Sequence, residues 1–129
     1  TLNQGVQFVL GCIPLINGGE VFVPKIPSMG VMDLAAAIGP NCKVKISGIR
    51  PGEKLHESLI SEDEARNAVR LDKMFVIHPQ NRSWSDPGPL SGEALPEGFS
   101  YRSDNNDQWL SREALSELAQ SSVLGSQDP

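Results

Sequence analysis

The structure of the first part of the chain depends on the segment Glu20-Val21-Phe22-Val23-Pro24-Lys25-Ile26-Pro27-Ser28. Its apolar, partly β-branched half predicts a short strand at residues 20–23. Pro24 ends that strand, because proline has no N–H to donate to a ladder. Before it, apolar residues recur at helical spacing over residues 2–12, and Pro14 with the Asn17-Gly18-Gly19 cluster closes that element. The sequence therefore predicts a helix followed by a strand.

The residues after this stretch predict a second helix and a second strand. Ser28 is a good N-cap for a helix from Met29 to Ile38, and Gly39-Pro40 is a strong stop signal. Lys43-Val44-Lys45-Ile46 alternates charged and apolar side chains, which is typical of a half-exposed strand.

A third helix and a third strand follow. Ser61 and Glu64 have the spacing of a capping box, so we expect a helix from about Glu62 to Val69. The apolar run at residues 74–77 predicts another short strand, closed by Pro79.

Composition changes after residue 78. Residues 79–98 are rich in Pro, Gly and Ser, and we expect an exposed, mobile loop. Ser111 caps a last helix from Arg112 to about Gln120, and residues 121–129 are expected to fray. The chain is thus predicted to be a small mixed α/β lobe at 1–78, a loop at 79–98, a C-terminal arm and helix at 99–120, and a tail.

Composition excludes several classes of function. The 129 residues suit one domain, and the net charge of −5 with scattered basic residues disfavours binding to nucleic acid. No apolar run is long enough to span a bilayer and no signal peptide is visible, so we expect a cytoplasmic protein without a membrane anchor. Cys12 and Cys42 fit no metal or disulfide pattern and are predicted to be buried, reduced thiols.

Motifs for cofactor binding and catalysis are missing. The chain has no Gly-rich dinucleotide loop, no nucleotide-triphosphate loop, no Tyr-x-x-x-Lys pair and no nucleophile elbow. It also starts without Met and directly in apolar periodic sequence. We therefore predict no catalytic, cofactor-binding or metal-binding residue here, and we expect the chain to be part of a longer protein.

The segment Arg50-Pro51-Gly52-Glu53-Lys54-Leu55-His56-Glu57 is the strongest candidate for a binding site. Pro51 stiffens the backbone, Gly52 allows a sharp turn, and Glu53 follows Arg50 by three positions. A guanidinium suits phosphate oxygens, and a carboxylate can accept two hydrogen bonds from a sugar diol. The residues alone leave a second interpretation open, an Arg–Glu salt bridge that braces a surface turn.

Three motifs in order carry a resemblance to a known family: residues 21–28, residues 49–57, and Ile60-Ser61-Glu62-Asp63-Glu64-Ala65-Arg66. The late motifs Phe99-Ser100-Tyr101, Ser103-Asp104-Asn105-Asn106 and Trp109-Leu110-Ser111 extend it. Together they resemble the C-terminal part of inverting UDP-N-acetylglucosamine 4,6-dehydratases. These are extended short-chain dehydrogenase/reductase enzymes of pseudaminic acid and related bacterial polysaccharide biosynthesis.

The resemblance implies a C-terminal fragment of an extended Rossmann-type enzyme that binds a UDP-sugar, UDP-N-acetylglucosamine. It implies that Arg50 contacts the diphosphate, that Glu53 contacts the uridine ribose, and that Lys25 lines the same cleft. NADP would bind, and the lyase chemistry would occur, in the parent enzyme's N-terminal Rossmann part. The parent enzyme is also expected to be a homo-oligomer. The chain alone is then expected to bind no cofactor and to be inactive.

Two other interpretations stay open. The chain could be a non-catalytic module that binds or interacts with sugar nucleotides. It could also be part of a related polysaccharide-biosynthesis epimerase or dehydratase, because the Arg-Pro-Gly-Glu-Lys segment is shared more widely.

Overall fold

The computed structural model describes residues 1–80 and 88–124, and only the backbone of residues 121–124. The chain divides into two compact units, each built from two segments. The first unit consists of Thr1–Ile26 and Ser58–Arg102, and the second of Pro27–Glu57 and Ser103–Pro129. The predicted boundaries after residues 78, 98 and 120 rest on composition and stay predictions.

The first unit contains every strand in the described residues. These are β1 (Val21–Pro24), β2 (Ser58–Ile60), β3 (Ala68–Arg70), β4 (Met74–Ile77), β5 (Glu93–Ala94) and β6 (Tyr101–Arg102). Four of them form an antiparallel sheet in the order β1-β4-β3-β5, while β2 and β6 form an antiparallel pair. The mixed α/β fold predicted from the sequence is confirmed, with small sheets made of short strands.

An aromatic cluster forms the core of the first unit. Val23, Ile60, Ala65, Phe75 and Tyr101 are buried together. The ring centroid of Phe75 lies 5.0 Å from that of Tyr101 and 5.5 Å from that of Phe99. Burying a large apolar side chain of this kind contributes about 1.5–3 kcal/mol, so this cluster is the main apolar stabilisation of the unit.

Two helices belong to the first unit. The helix α1 (Leu2–Cys12) has a capping box between Thr1 and Gln4, and Pro14 lies in the 3₁₀ turn Ile13–Leu15 that ends it, as predicted. Four apolar side chains of α1 are exposed, Leu2, Val6, Val9 and Leu10, and so is Ile13 in the turn that follows. Burial raises the pKa of the Cys12 thiol. Cys42, also predicted to be buried, is exposed, since the segment around it lies at the surface.

The second helix of the first unit, α3, is shorter than predicted. Its capping box is confirmed, because Ser61 Oγ accepts from the Glu64 N–H at 3.3 Å and Glu64 Oε2 accepts from the Ser61 N–H at 2.9 Å. However, α3 covers only Glu62–Ala65, and the predicted extension to Val69 is wrong. Val69 instead pairs with Val76 in the sheet, so tertiary pairing of a β-branched residue outweighs the helical pattern.

The second unit contains two helices, α2 (Val31–Ile38) and α4 (Arg112–Leu124), which pack against each other. An ion pair joins them, with Arg112 Nη2 at 2.9 Å from Asp33 Oδ1. Leu115 is buried on α4, and Ser111 Oγ accepts from the Ala114 N–H as the predicted cap. Among the helices of residues 1–80 and 88–124, none combines the length and apolarity that crossing a membrane requires.

The start of α2 and the strand after it differ from the prediction. Helix α2 begins at Val31 with Gly30 as its N-cap, so the helix start at Met29 and the Ser28 cap are wrong. Ser28 is buried, and its backbone N–H and carbonyl form hydrogen bonds with Gln108 and Leu110 instead. Residues 43–46 form no strand, because no strand of the described chain pairs with them and all four are exposed.

The predicted loop and tail are only partly described. Within residues 79–98, the strand β5 pairs with β3, which the loop prediction missed, and residues 81–87 lie outside the described residues. Helix α4 continues to Leu124, so the first part of the predicted frayed tail is helical, whereas residues 125–129 lie outside the described part of the chain.

Candidate functional site

The candidate site in the second unit is a tight turn at Arg50-Pro51-Gly52-Glu53. The Glu53 N–H donates to the Arg50 carbonyl at 3.0 Å, which closes the turn. Gly52 has a φ of 88°, a conformation that side chains disfavour, and Pro51 fixes the preceding position. Proline followed by a positive-φ glycine is the pattern of a type II turn. The sharp backbone turn expected from the sequence is therefore present.

The side chains of this turn fold towards each other. Glu53 Oε2 accepts from the Arg50 N–H at 2.9 Å, and Glu53 Oε1 lies 3.8 Å from Arg50 Nε. The side chain of Arg50 is 79% exposed and that of Glu53 is 51% exposed. An ion pair this exposed is worth about 0–1 kcal/mol, so it costs little to exchange it for a ligand. The turn thus holds a guanidinium and a carboxylate side by side at the surface.

Lys25, the third predicted binding residue, lies in the first unit. Its Nζ donates to the carbonyls of Leu71 at 2.6 Å and Asp72 at 2.9 Å. The same ammonium lies 5.3 Å from the ring centroid of Phe75. These contacts anchor the residue after β1 to the β3–β4 connection. Its predicted part in a ligand cleft stays a prediction.

The residues that hold the end of the Arg50 segment were not among those predicted from the sequence. Ser103 Oγ accepts from the Glu57 N–H at 3.0 Å, and the Ser103 N–H donates to the Glu57 carbonyl at 2.8 Å. His56 Nε2 lies 3.9 Å from Asp104 Oδ2. The Ser103-Asp104-Asn105-Asn106 motif was visible in the sequence, but nothing in its spacing showed that it lies beside residue 57.

Two cavities occur in the first unit, away from the residues predicted to bind. One, of about 520 Å³, is lined by charged groups of Glu62, Arg66 and Glu97 together with Leu95. The other, of about 560 Å³, is lined by residues of 66–69, 78–80 and 89–94. Within residues 1–80 and 88–124, no group of three or more His, Cys, Asp or Glu side chains is placed to hold a metal ion.

Curated sequences similar to this chain include a UDP-sugar dehydratase and a UDP-sugar epimerase. The chain is 42% identical over 125 residues to the UDP-N-acetylglucosamine 4,6-dehydratase (inverting) of Campylobacter jejuni subsp. jejuni serotype O:2. That match covers 92% of this chain and 37% of the dehydratase. The chain is also 31% identical over 86 residues to the UDP-glucose 4-epimerase of Rickettsia canadensis, which covers 64% of this chain and 25% of the epimerase.

A solved structure has the same fold. The X-ray structure of Pen from Bacillus thuringiensis superposes with a TM-score of 0.73 at 32% sequence identity, covering 96% of this chain and 37% of that one. The chain therefore spans little more than a third of the proteins it matches over most of its length. A family model described as polysaccharide biosynthesis protein matches residues 1–79. Because that match takes in more than half of the chain, the chain belongs to the polysaccharide biosynthesis protein family.

Proposed function

We propose that this chain is the UDP-sugar-binding part of a C5-inverting UDP-N-acetylglucosamine 4,6-dehydratase in bacterial polysaccharide biosynthesis. The observation that carries the proposal is the 42% identity to the Campylobacter dehydratase, which extends over 92% of this chain. That similarity includes both the Arg50 turn and the C-terminal motifs. Pseudaminic acid biosynthesis is the pathway class that this proposal implies.

The Arg50 turn is proposed to bind the two charged and polar parts of the UDP moiety. The exposed guanidinium of Arg50 can form a bidentate contact with diphosphate oxygens. Glu53 Oε2 accepts from the Arg50 N–H, and the carboxylate keeps further lone pairs that can accept from the ribose hydroxyls. Because the turn is closed by its own backbone, both side chains start from a fixed backbone geometry, which lowers the entropic cost of binding.

The nicotinamide cofactor does not fit the residues of this chain. A dinucleotide needs a Gly-rich loop between a strand and a helix, and neither that loop nor a Tyr-x-x-x-Lys pair occurs in the sequence. We assign NADP and the catalytic groups to a Rossmann part outside residues 1–129. The role proposed for this chain is to bind and orient the substrate.

The binding of UDP-N-acetylglucosamine to the 129-residue chain, measured by isothermal titration calorimetry, tests this proposal. We expect Arg50→Ala to weaken binding about ten-fold or more, because it removes a charge-assisted contact. Arg66→Ala is the matched control. Arg66 is also 79% exposed and also pairs with an acid three positions away, at 3.6 Å from Asp63, but it lies in the first unit. Equal losses in both variants, or no binding by the unmodified chain, would overturn the proposal.

The similarity to the Rickettsia UDP-glucose 4-epimerase supports one alternative reaction, 4-epimerisation of a UDP-sugar. The two reactions differ in product, because a 4,6-dehydratase forms a 4-keto-6-deoxy sugar and a 4-epimerase forms only the C4 epimer. Product analysis by NMR on the longer protein that carries this chain separates them. A binding module without chemistry would bind UDP-N-acetylglucosamine and form neither product.

A further inference from the structure

One short segment, residues 103–110, contacts both ends of the segment that carries the Arg50 turn. Both segments belong to the second unit, which consists of residues 27–57 and everything from residue 103 on. The contacts reach Ser28 at the start of the first segment and His56 and Glu57 at its end. The proposed function gives this 103–110 segment no role, although its sequence is one of the motifs singled out above.

The contacts at Ser28 involve its backbone and its hydroxyl group. The Ser28 N–H donates to the Gln108 carbonyl at 2.8 Å, and the Ser28 carbonyl accepts from the Leu110 N–H at 2.9 Å. Asn106 Nδ2 donates to Ser28 Oγ at 3.1 Å. Ser28 is only 8% exposed, so these are partners that a buried polar residue requires. The start of the segment is therefore fixed by three hydrogen bonds.

The contacts at Glu57 fix the other end. Glu57 and Ser103 exchange two hydrogen bonds, one of them to the Ser103 hydroxyl, and His56 lies 3.9 Å from Asp104. Residues 50–56 contain no helix or strand. The position of the Arg50 turn therefore depends on the nearest fixed residue, which is Glu57.

The 103–110 segment is itself held by local hydrogen bonds. Asn106 Oδ1 accepts from the Gln108 N–H at 3.1 Å, and Trp109 Nε1 donates to the Asn106 carbonyl at 2.7 Å. Asn106 thus uses its amide nitrogen on Ser28 and its amide oxygen on Gln108. A segment ordered in this way can hold the ends of another one, since it loses little further freedom in doing so.

We propose that the 103–110 segment is a positioning element for UDP-sugar binding, with Ser103 and Asn106 as its positioning residues. It closes residues 28–57 at both ends and so limits where the Arg50 guanidinium and the Glu53 carboxylate can lie. The proposal rests on the proposed function of the Arg50 turn. Ser103 acts through the backbone N–H of Glu57, Asn106 acts through the hydroxyl of Ser28, and neither residue contacts the ligand.

A ligand-free measurement tests the positioning by itself. In amide NMR of the 129-residue chain, Ser103→Ala should shift the signals of Gly52 and Glu53 and speed hydrogen exchange of the Glu57 amide. Ser103→Thr keeps a hydroxyl acceptor and should restore both. The matched control is Ser61→Ala, which also removes a serine oxygen that accepts from a backbone N–H, but in the first unit. Unchanged Gly52 and Glu53 signals in Ser103→Ala would overturn the proposal.

Calorimetry with UDP-N-acetylglucosamine supplies the second readout. We expect Ser103→Ala to weaken binding roughly two- to ten-fold, the range of one lost hydrogen bond, and Asn106→Ala, which loses two, to weaken it at least as much. Ser103→Thr should bind with nearly the unmodified affinity, and Ser61→Ala should leave the affinity unchanged. If Arg50→Ala weakens binding while Ser103→Ala and Asn106→Ala do not, the positioning proposal is wrong and the binding site stands. If the unmodified chain does not bind, the proposed function fails, and the NMR signals still decide the positioning.

Discussion

The two units of this chain are stabilised in different ways. The first unit packs an aromatic cluster of Phe75, Phe99 and Tyr101 beneath a small antiparallel sheet. In the second unit, α2 packs against α4, the two ends of the segment carrying the candidate site are hydrogen-bonded to residues 103–110, and Arg50 and Leu55 are exposed. The difference indicates that the first unit supplies most of the apolar stabilisation, while the second exposes the polar side chains of the candidate site at its surface.

The largest effect is expected when one apolar side chain is truncated in each unit and the losses in unfolding free energy are compared. Phe75→Ala should lower the free energy of unfolding by about 3–5 kcal/mol, because it removes a ring that is 5% exposed and leaves a cavity. Leu55→Ala in the second unit should change it by less than about 0.5 kcal/mol, since Leu55 is 75% exposed. Urea denaturation followed by circular dichroism measures both. Similar losses in the two variants would contradict the contrast between the units.

A second test keeps an aromatic side chain in each unit and removes its hydrogen-bonding group. The Tyr101 hydroxyl accepts from the Ile26 N–H at 2.9 Å and donates to the Ile26 carbonyl at 2.8 Å, and Tyr101 is buried. Tyr101→Phe should therefore cost about 1–3 kcal/mol of unfolding free energy, since it leaves polar backbone groups without their partner. Trp109→Phe should cost less, because Trp109 is 55% exposed and water can replace its hydrogen bond. A larger loss in Trp109→Phe than in Tyr101→Phe would reverse the comparison.

Substitution of Lys25 tests whether the first unit contributes to stability and to the proposed binding of the UDP-sugar. Lys25→Met keeps the aliphatic chain and removes two hydrogen bonds to carbonyls and a cation–π contact, so we expect a loss of about 1–2 kcal/mol of unfolding free energy. Lys54→Met on the exposed segment of the second unit is the control and should be nearly neutral. If affinity for UDP-N-acetylglucosamine also falls in Lys25→Met, the predicted cleft role gains support. Unchanged stability would show that the carbonyl contacts contribute nothing.

The sequence predictions were correct where a feature depends on residues close together in the chain, and wrong where it depends on distant ones. The capping box at Ser61 and the turn at Gly52 depend on residues three or fewer positions apart, and both formed as predicted. The strand at residues 43–46 and the end of α3 depended on whether a distant strand was available, and both predictions were wrong.

The candidate site shows the same division. The contact between Arg50 and Glu53 could be predicted because it spans one turn. The pairing of Ser103 with Glu57 joins residues far apart in the chain, and one sequence without an alignment contains no signal for it. Likewise, the carbonyl partners of Lys25 lie on the connection between β3 and β4, and no local pattern in the sequence indicates that they are near Lys25.

The smallest expected effect is a pH dependence confined to the first unit. The Ser61 hydroxyl, followed by the Ser61 N–H, donates to the Glu64 carboxylate at 2.6 and 2.9 Å and lowers the pKa of Glu64. A carboxyl group whose pKa is lowered by folding stabilises the protein above the ordinary glutamate pKa of about 4.3. That stabilisation is lost as the pH falls through the lowered value.

Glu64→Gln removes the titrating group, so its unfolding free energy should fall less steeply than that of the unmodified chain between about pH 5 and pH 3. Glu62→Gln, on the same turn, is the matched control, because it removes a carboxylate that takes no part in the capping box, and it should flatten the profile less than Glu64→Gln does. Because α3 belongs to the first unit, hydrogen exchange of the β3 amides should respond to the change and that of the Glu57 amide should not. Parallel pH profiles for the unmodified chain and Glu64→Gln would show that the capping carboxylate contributes nothing measurable.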